Sequence, residues 1–232
     1  MKPGPLLTLA FVFVLATGLA YSPLTSLTKV SVLGVQPSDK ATVEDILSTL
    51  NGIPWVMVNP RWVETRVQRI QAVDRAHYSQ NIFGRGRLEI AYRTPVARVT
   101  GARGLGLDAA GVMFEMDSLS TDLPILIRPD AAKELPMTVV SGFPSSSVAS
   151  LAIQARQMEP REKLIIWFND RGALCLNIGT GLVILGSCDD LDRKLRSLKE
   201  ILDEQPGLLA KLESLNLTEP SHPAKTYKRS RT

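Results

Sequence analysis

The side chains able to do chemistry are few and scattered. Asp108 stands in Asp108-Ala109-Ala110-Gly111, where an aspartate three residues ahead of a glycine reads as the holder of a turn rather than as an acid or base. Asp189, Asp190 and Asp192 carry charge enough for a cation, but they also open a run with Leu191, Leu195, Leu198 and Leu202 on one helical face, and capping explains them as well. Gly101-Ala102-Arg103-Gly104-Leu105-Gly106 has its glycines in the wrong order for a dinucleotide fingerprint and reads as turn glycines opening a hairpin. No G-x-S-x-G elbow, H-E-x-x-H pair or phosphate-binding loop occurs. The sequence therefore predicts no enzyme, no cofactor and no metal.

Cys175 and Cys188 form no C-x-x-C pair, which argues against zinc. Two thiols could close one disulfide in an oxidising compartment, and their spacing leaves that open. His77 sits among strand residues far from His222 and reads as an ordinary sheet or surface histidine. Three tryptophans could form a ligand platform. Trp62 lies beside an apolar helix stripe and Trp167 inside an apolar strand, so both read as core, while Trp55 follows Pro54 in a loop and stays open.

Composition sets the frame for these residues. The chain has 232 residues, 44% hydrophobic and 22% charged, which suits one globular domain or two small ones. The net charge of +4, from 27 basic and 23 acidic residues, is too small to argue for nucleic acid. The basic excess collects in Lys225, Lys228, Arg229 and Arg231, which reads as a flexible basic tail.

Leu6 to Tyr21 is an uncharged apolar run preceded by Lys2. Such a run is a targeting or membrane segment and stands outside the folded part. As a helix it would reach roughly 24 Å at ~1.5 Å per residue, short of a bilayer core of about 30 Å unless its flanks help. Gly18-Leu19-Ala20 offers a small-residue cleavage site, so a removed signal peptide and an uncleaved signal anchor both fit. Either sends the rest of the chain across the membrane.

The elements that follow are legible from periodicity. Thr28 to Val35 alternates as a strand ending near Gly34. Val43, Ile46, Leu47 and Leu50 have helical spacing, with Thr42 as cap and Asn51-Gly52 as stop. Asn59-Pro60 opens a second helix with Val63, Val67, Ile70 and Val73 on one stripe. Arg75 to Ile82 is a strand, Phe83 to Gly86 a turn, and Leu88 to Arg93 a strand that alternates Leu88, Ile90 and Tyr92 with Glu89, Ala91 and Arg93. Pro95 cannot sit deep in a paired strand, so this stretch is the junction between two units. Beyond it come a hairpin over Leu105 to Phe114, a helix capped by Ser145-Ser146, and strands over Lys163 to Phe168, Ala173 to Ile178 and Leu182 to Leu185. The helix opened by Asp189-Asp190 follows, and then a last strand over Leu212 to Thr218.

The order β-α-α-β-β behind an apolar segment resembles a POTRA domain. Val30-Ser31-Val32-Leu33-Gly34 is similar to that family's first-strand V-x-V-x-G pattern. Arg93-Thr94-Pro95-Val96-Ala97 resembles the R-x-P-V-A that ends POTRA domains of the bacterial cell-division family FtsQ/DivIB. Asp108-Ala109-Ala110-Gly111 resembles that family's D-x-x-G hairpin, and Leu123-Pro124-Ile125-Leu126 its LP-x-L segment. Gly179 to Gly186, followed by Lys194 and an amphipathic helix, resembles its G-x-x-V-x-LG…K block. The chain departs from the pattern at Tyr92, where the family usually has Glu, and at Gly84 and Gly86, where its hairpin usually carries proline.

The resemblance implies an α+β protein. It would have a short cytoplasmic tail over 1–5, a transmembrane signal anchor over 6–21 and a POTRA domain over 27–98. A β domain of antiparallel hairpins with two helices would follow over 99–219, and a flexible basic tail over 220–232. It implies a non-enzymatic, single-pass protein of the bacterial cytoplasmic membrane. Its folded part would be extracytoplasmic, at the division septum. There it would bind small bitopic coiled-coil proteins (FtsB/DivIC-like and FtsL-like) and help control septal peptidoglycan synthesis. A POTRA-containing transport or assembly factor that handles unfolded chains is the alternative, although such proteins carry a long barrel after the POTRA units. Strand addition to an open sheet edge is the implied binding mode. The candidate residues are Leu215, Asn216, Leu217 and Thr218 as the edge strand, with Ala224, Lys225, Thr226 and Tyr227 extending the surface.

An uncleaved anchor has a direct test. N-terminal sequencing of membrane-extracted protein is expected to read the residues ahead of Leu6; a mature start at Tyr21 would show a cleaved signal peptide instead.

Overall fold

The structure, a computed structural model, describes residues 4–22, 25–100, 104–116, 120–128, 139–140 and 142–228. Residues 1–3 of the expected tail, Gly101–Arg103 of the glycine run, and Arg229 and Arg231 lie outside the described residues. The protein is of mixed α+β class and divides into two compact units, Met1–Arg93 and Thr94–Thr232.

The first unit opens with helix α1 (Gly4–Ala20), 17 residues long, whose Leu7, Leu9, Phe11, Phe13 and Leu15 are exposed. Among the described residues no helix is long and apolar enough to cross a membrane. Strand β1 (Lys29–Leu33), helices α2 (Lys40–Ser48) and α3 (Pro60–Val67), and strands β2 (Val73–Gln80) and β3 (Arg85–Tyr92) follow in the expected β-α-α-β-β order. The sheet order is β1-β3-β2, with β1 parallel and β2 antiparallel to β3. Gly34 ends β1 at φ +80°, where a Cβ would collide with the carbonyl oxygen of Ile90. Only glycine lets the chain turn away so close to β3.

The helices bury the stripe that their spacing dictates. Val43, Ile46 and Leu47 of α2 meet Val63 and Val67 of α3 over Ala76, Tyr78, Leu88 and Ile90. Asn59 caps α3, its Oδ1 accepting from Arg61 N at 3.0 Å, with Pro60 in the first turn. Asp39, not Thr42, takes the cap position of α2, because the helix begins at Lys40 and Thr42 lies within it. Ile70 is only partly buried, since α3 has ended by then. Trp62 is 45% exposed rather than core. Val63 and Val67 hold the inward positions one step away, and Trp62 lies instead under the Arg66 guanidinium, 5.9 Å from its ring centre. Glu64 Oε1 accepts the Tyr78 amide at 3.0 Å and faces His77 Nδ1 at 3.2 Å, tying α3 to the outer side of β2.

The second unit begins at β4 (Pro95–Val99), followed by β5 (Leu105–Asp108), β6 (Met113–Glu115), β7 (Ile125–Leu126), β8 (Val139–Val140) and β9 (Phe143–Pro144). Then come α4 (Ser145–Met158), β10 (Leu164–Phe168), β11 (Leu174–Ile178), β12 (Gly181–Gly186), α5 (Leu191–Glu204), α6 (Leu208–Lys211), β13 (Leu212–Asn216) and β14 (Ala224–Tyr227). Because β4 pairs with β5 and β7, the contact boundary falls between Arg93 and Thr94, ahead of the expected 98/99. Pro95 opens β4, a position in a strand where its missing amide is tolerated.

One nine-stranded sheet runs β14-β13-β12-β11-β10-β7-β4-β5-β6, and β8 and β9 form a separate ribbon. It is not made of antiparallel hairpins alone, since β4/β7, β7/β10 and β12/β13 are parallel. Parallel neighbours require crossover connections. Helix α4 supplies the one between β7 and β10, and α5 with the short α6 supplies the one between β12 and β13, so the unit has a third helix that sequence reading did not anticipate. Val148, Leu151, Ala152 and Ala155 of α4, Leu195 and Leu198 of α5 and Leu208 and Leu209 of α6 share one core with Leu164, Ile166, Leu174, Leu176, Val183 and Leu185.

Leu88→Ala is expected to cost about 2–5 kcal/mol in a denaturant melt, the usual loss for a fully buried leucine. Ile70→Ala should cost clearly less, because Ile70 only flanks the core; equal losses would place Ile70 inside it.

Candidate functional site

The residues singled out for chemistry have structural partners. Asp108 is buried at the β5–β6 turn; its Oδ1 accepts Val112 N at 2.7 Å, while Gly111 takes φ +84°. Asp192 Oδ1 accepts from Gln154 Nε2 at 2.8 Å and so links α5 to α4. Asp190 occupies the cap position of α5 in a left-handed conformation, and its carbonyl, not its carboxylate, receives Arg193 N and Lys194 N. Pro144, not Ser145, caps α4, and Ser145 is buried in its first turn. Trp167 is half-buried, its Nε1 donating across the sheet to Asn177 Oδ1 at 3.0 Å. Trp55 lies in a short 3-10 turn, Trp55–Met57.

Cys175 and Cys188 are free thiols. Burial pushes both up from the usual thiol range; at Cys188 the Lys194 charge opposes this and Asp189 adds to it. Less thiolate at neutral pH means weak nucleophiles. A depression of about 420 Å³ holds Arg98, Arg156, Arg161 and Lys163 near Asp122 and Glu162. Arg156 is spent there on backbone, donating to the carbonyls of Pro160, Glu162 and Asp122.

The candidate binding residues separate into two strands. Leu215 and Leu217 are fully buried in the second core, so their side chains cannot meet a partner. Asn216 and Thr218 are exposed, and Asn216 Oδ1 accepts Thr218 N at 2.9 Å. The expectation that this segment is an edge is corrected. β13 has β12 on one side, where Leu217 N donates to Ile184 O at 2.8 Å, and β14 on the other. Ala224, Lys225, Thr226 and Tyr227 are β14 itself, exposed along its whole length, so this part of the supposed flexible tail is the sheet's terminal strand.

Local chemistry explains how the tail returns. Glu219 to His222 turns, His222 N donating to Glu219 O at 3.1 Å. Ala224 then faces Asn216, Lys225 faces Leu215 and Tyr227 faces Leu212. Lys228 locks the end, its N donating to Lys211 O at 3.3 Å and its Nζ to Ala210 O at 2.8 Å. With the Lys228 amide turned toward β13, the alternation of an antiparallel strand turns the Lys225 and Tyr227 backbone groups outward. Tyr227, 59% exposed, stands over the end of that free edge. The sequence signal for β14 was Pro223 ahead of the small alternating run Ala224-Lys225-Thr226-Tyr227.

No family model matches the chain, and no curated protein matches it.

The edge has a direct readout. In native-state hydrogen exchange the amides of Thr226 and Lys228 are expected to be protected relative to those of Lys225 and Tyr227; uniform rapid exchange from 224 to 228 would mean β14 is not held on β13.

Proposed function

We propose that this chain is a non-enzymatic scaffold of the bacterial division machinery, of the FtsQ/DivIB kind. In this reading α1 and its flanks anchor it in the cytoplasmic membrane with both units outside. The first unit is a POTRA domain. The second binds small bitopic coiled-coil proteins and so helps control septal peptidoglycan synthesis.

The open edge at β14 carries the reading. A strand with one ladder filled and the other free is a template for one more strand, and a partner would complete it through main-chain bonds. Tyr227 and Lys225 supply side-chain character beside it. The motif residues that suggested the family also have physical work in this fold. Gly34 allows the close turn beside Ile90, Asp108 closes the β5–β6 turn, and Lys194, buried, donates its ammonium to Ser187 O at 2.9 Å. The exposed apolar length of α1 supports the anchor, since such a surface is stable only against lipid or protein.

The edge geometry decides which variants are clean probes. The Leu217 amide faces β12, so by alternation the Asn216 amide faces β14, and Asn216→Pro would strip β14 from the sheet. Lys225→Pro removes only an outward donor, where an edge strand tolerates proline. Lys225→Pro and Tyr227→Ala are expected to keep the wild-type melting curve. Tyr227→Ala should lose about 2 kcal/mol or more of partner binding if it is an anchor, roughly thirtyfold in affinity. The measurements are co-purification of small bitopic proteins from the native host and midcell gathering of the tagged chain. Undiminished recovery by both variants would move the site off β14.

A further inference from the structure

The chain enters the first folded unit at Ser26–Leu27, and this point marks one end of the unit. Leu27 N donates to Ile53 O at 2.9 Å, Ser26 bridges Pro54, and Thr28 N donates to Gly84 O at 2.9 Å. The entering segment is thus clamped between the loop after α2 and the tip of the β2–β3 hairpin. Large apolar side chains crowd this same end uncovered: Val56, Met57 at 60% exposure, Trp62, Ile82, and Phe83 at 73%. Met57 and Trp62 also wall a shallow apolar groove of about 280 Å³ with Leu50 and Ile53. Between Ser22 and Arg93, Leu33 is the one other exposed large hydrophobic among the described residues, and it ends β1 at the opposite pole.

Charge is paired at one end and unpaired at the other. Lys29 faces Arg85 across β1 and β3 at the entry end, and Arg61 stands in the first turn of α3; all three are exposed. Asp39, Asp74 and Glu89 lie toward the opposite end, where Tyr92 closes β3, and there bases answer them, Arg75 and Arg93 beside Asp74 and Arg87 beside Glu89, while Glu44, paired with Lys40, and Asp45 lie in the middle of α2. Glu64 is engaged by Tyr78 N and His77. The entry end is therefore an apolar cap ringed by cations with no carboxylate among the described residues to neutralise it.

We infer that this end of the first unit docks on the surface of an anionic bilayer. Val56, Met57, Trp62, Ile82 and Phe83 sit in the headgroup layer, with Lys29, Arg61 and Arg85 against lipid phosphates. The inference rests on the reading of α1 as a membrane segment. Residues 21–26 alone separate α1 from Leu27, and at about 3.3–3.6 Å per residue they reach about 20–22 Å at most, so the entry end is held near the membrane surface. Aromatic and thioether side chains partition into that layer, and cations beside them add attraction to anionic lipid.

The test uses the full chain carrying Trp167→Phe, so that emission comes from Trp55 and Trp62, in vesicles of phosphatidylglycerol and phosphatidylcholine with brominated acyl chains. Vesicle flotation and resistance to alkaline carbonate report α1 separately. The expected result is a floated, carbonate-resistant protein whose tryptophan emission is quenched. Adding Met57→Ser with Phe83→Ser, or Lys29→Gln with Arg85→Gln, should weaken the quenching without changing flotation or the melting curve. A floated, carbonate-resistant protein with unquenched emission overturns the docking and leaves α1 as an anchor. Quenching unchanged by both pairs of substitutions overturns it as well. A protein released by carbonate removes the anchor reading, and the docking with it.

Discussion

The parallel pairing of β13 with β12 is the constraint on which the second unit depends. Leu217 N reaching Ile184 O fixes the direction of the last buried strand. A parallel neighbour cannot follow a tight turn, so the chain must first climb back over the sheet. Helices α5 and α6 make that climb, and their leucines, Leu195, Leu198, Leu208 and Leu209, join the core that α4 began. The same pairing leaves the far side of β13 unfilled. The tail returns to fill it, and the open edge passes to β14.

Edges are handled differently in the two units. On β2 the Tyr78 amide is taken by the carboxylate of Glu64, so part of that border is closed by a side chain from the covering helix. At the β6 end of the long sheet the strand is only Met113–Glu115 and two of its three residues are buried. β14 has neither of these: all four residues are exposed, and among the described residues no further strand pairs with its outer side. Natural proteins blunt open edges with short strands, proline and lysine, and β14 is four residues long with Pro223 ahead of it and Lys225 within it. The open edge and the exposed tyrosine beside it are what the proposed binding role rests on.

The first unit is polar in a different sense, along its length. Its strands run from an apolar end with unpaired cations to one where acids and bases pair, and Gly34 sits where the backbone must approach Ile90 closely. Tyr92 holds a place at the charge-paired end, its hydroxyl accepting the Gln36 amide at 3.1 Å; burial pushes its ionisation up, and the Asp39 carboxylate adds to that. A neutral tyrosine there closes the loop after β1 without adding another charge.

Local sequence determined the pieces of both units. Helix spacing at Val43, Ile46 and Leu47 and at Leu191, Leu195 and Leu198, the Asn59-Pro60 start and the Asp108–Gly111 turn all express preferences within a few residues, and a few residues suffice to read them. Tertiary structure alone decided the order of strands, the passage of Pro95–Val99 into the second sheet, the exposure of Trp62 and the placing of β14 outside β13. Those outcomes depend on which backbone groups remain unpaired after distant segments have met. The alternation of Leu215 with Asn216 shows which face of a strand is buried, but it carries no information about what lies along either edge.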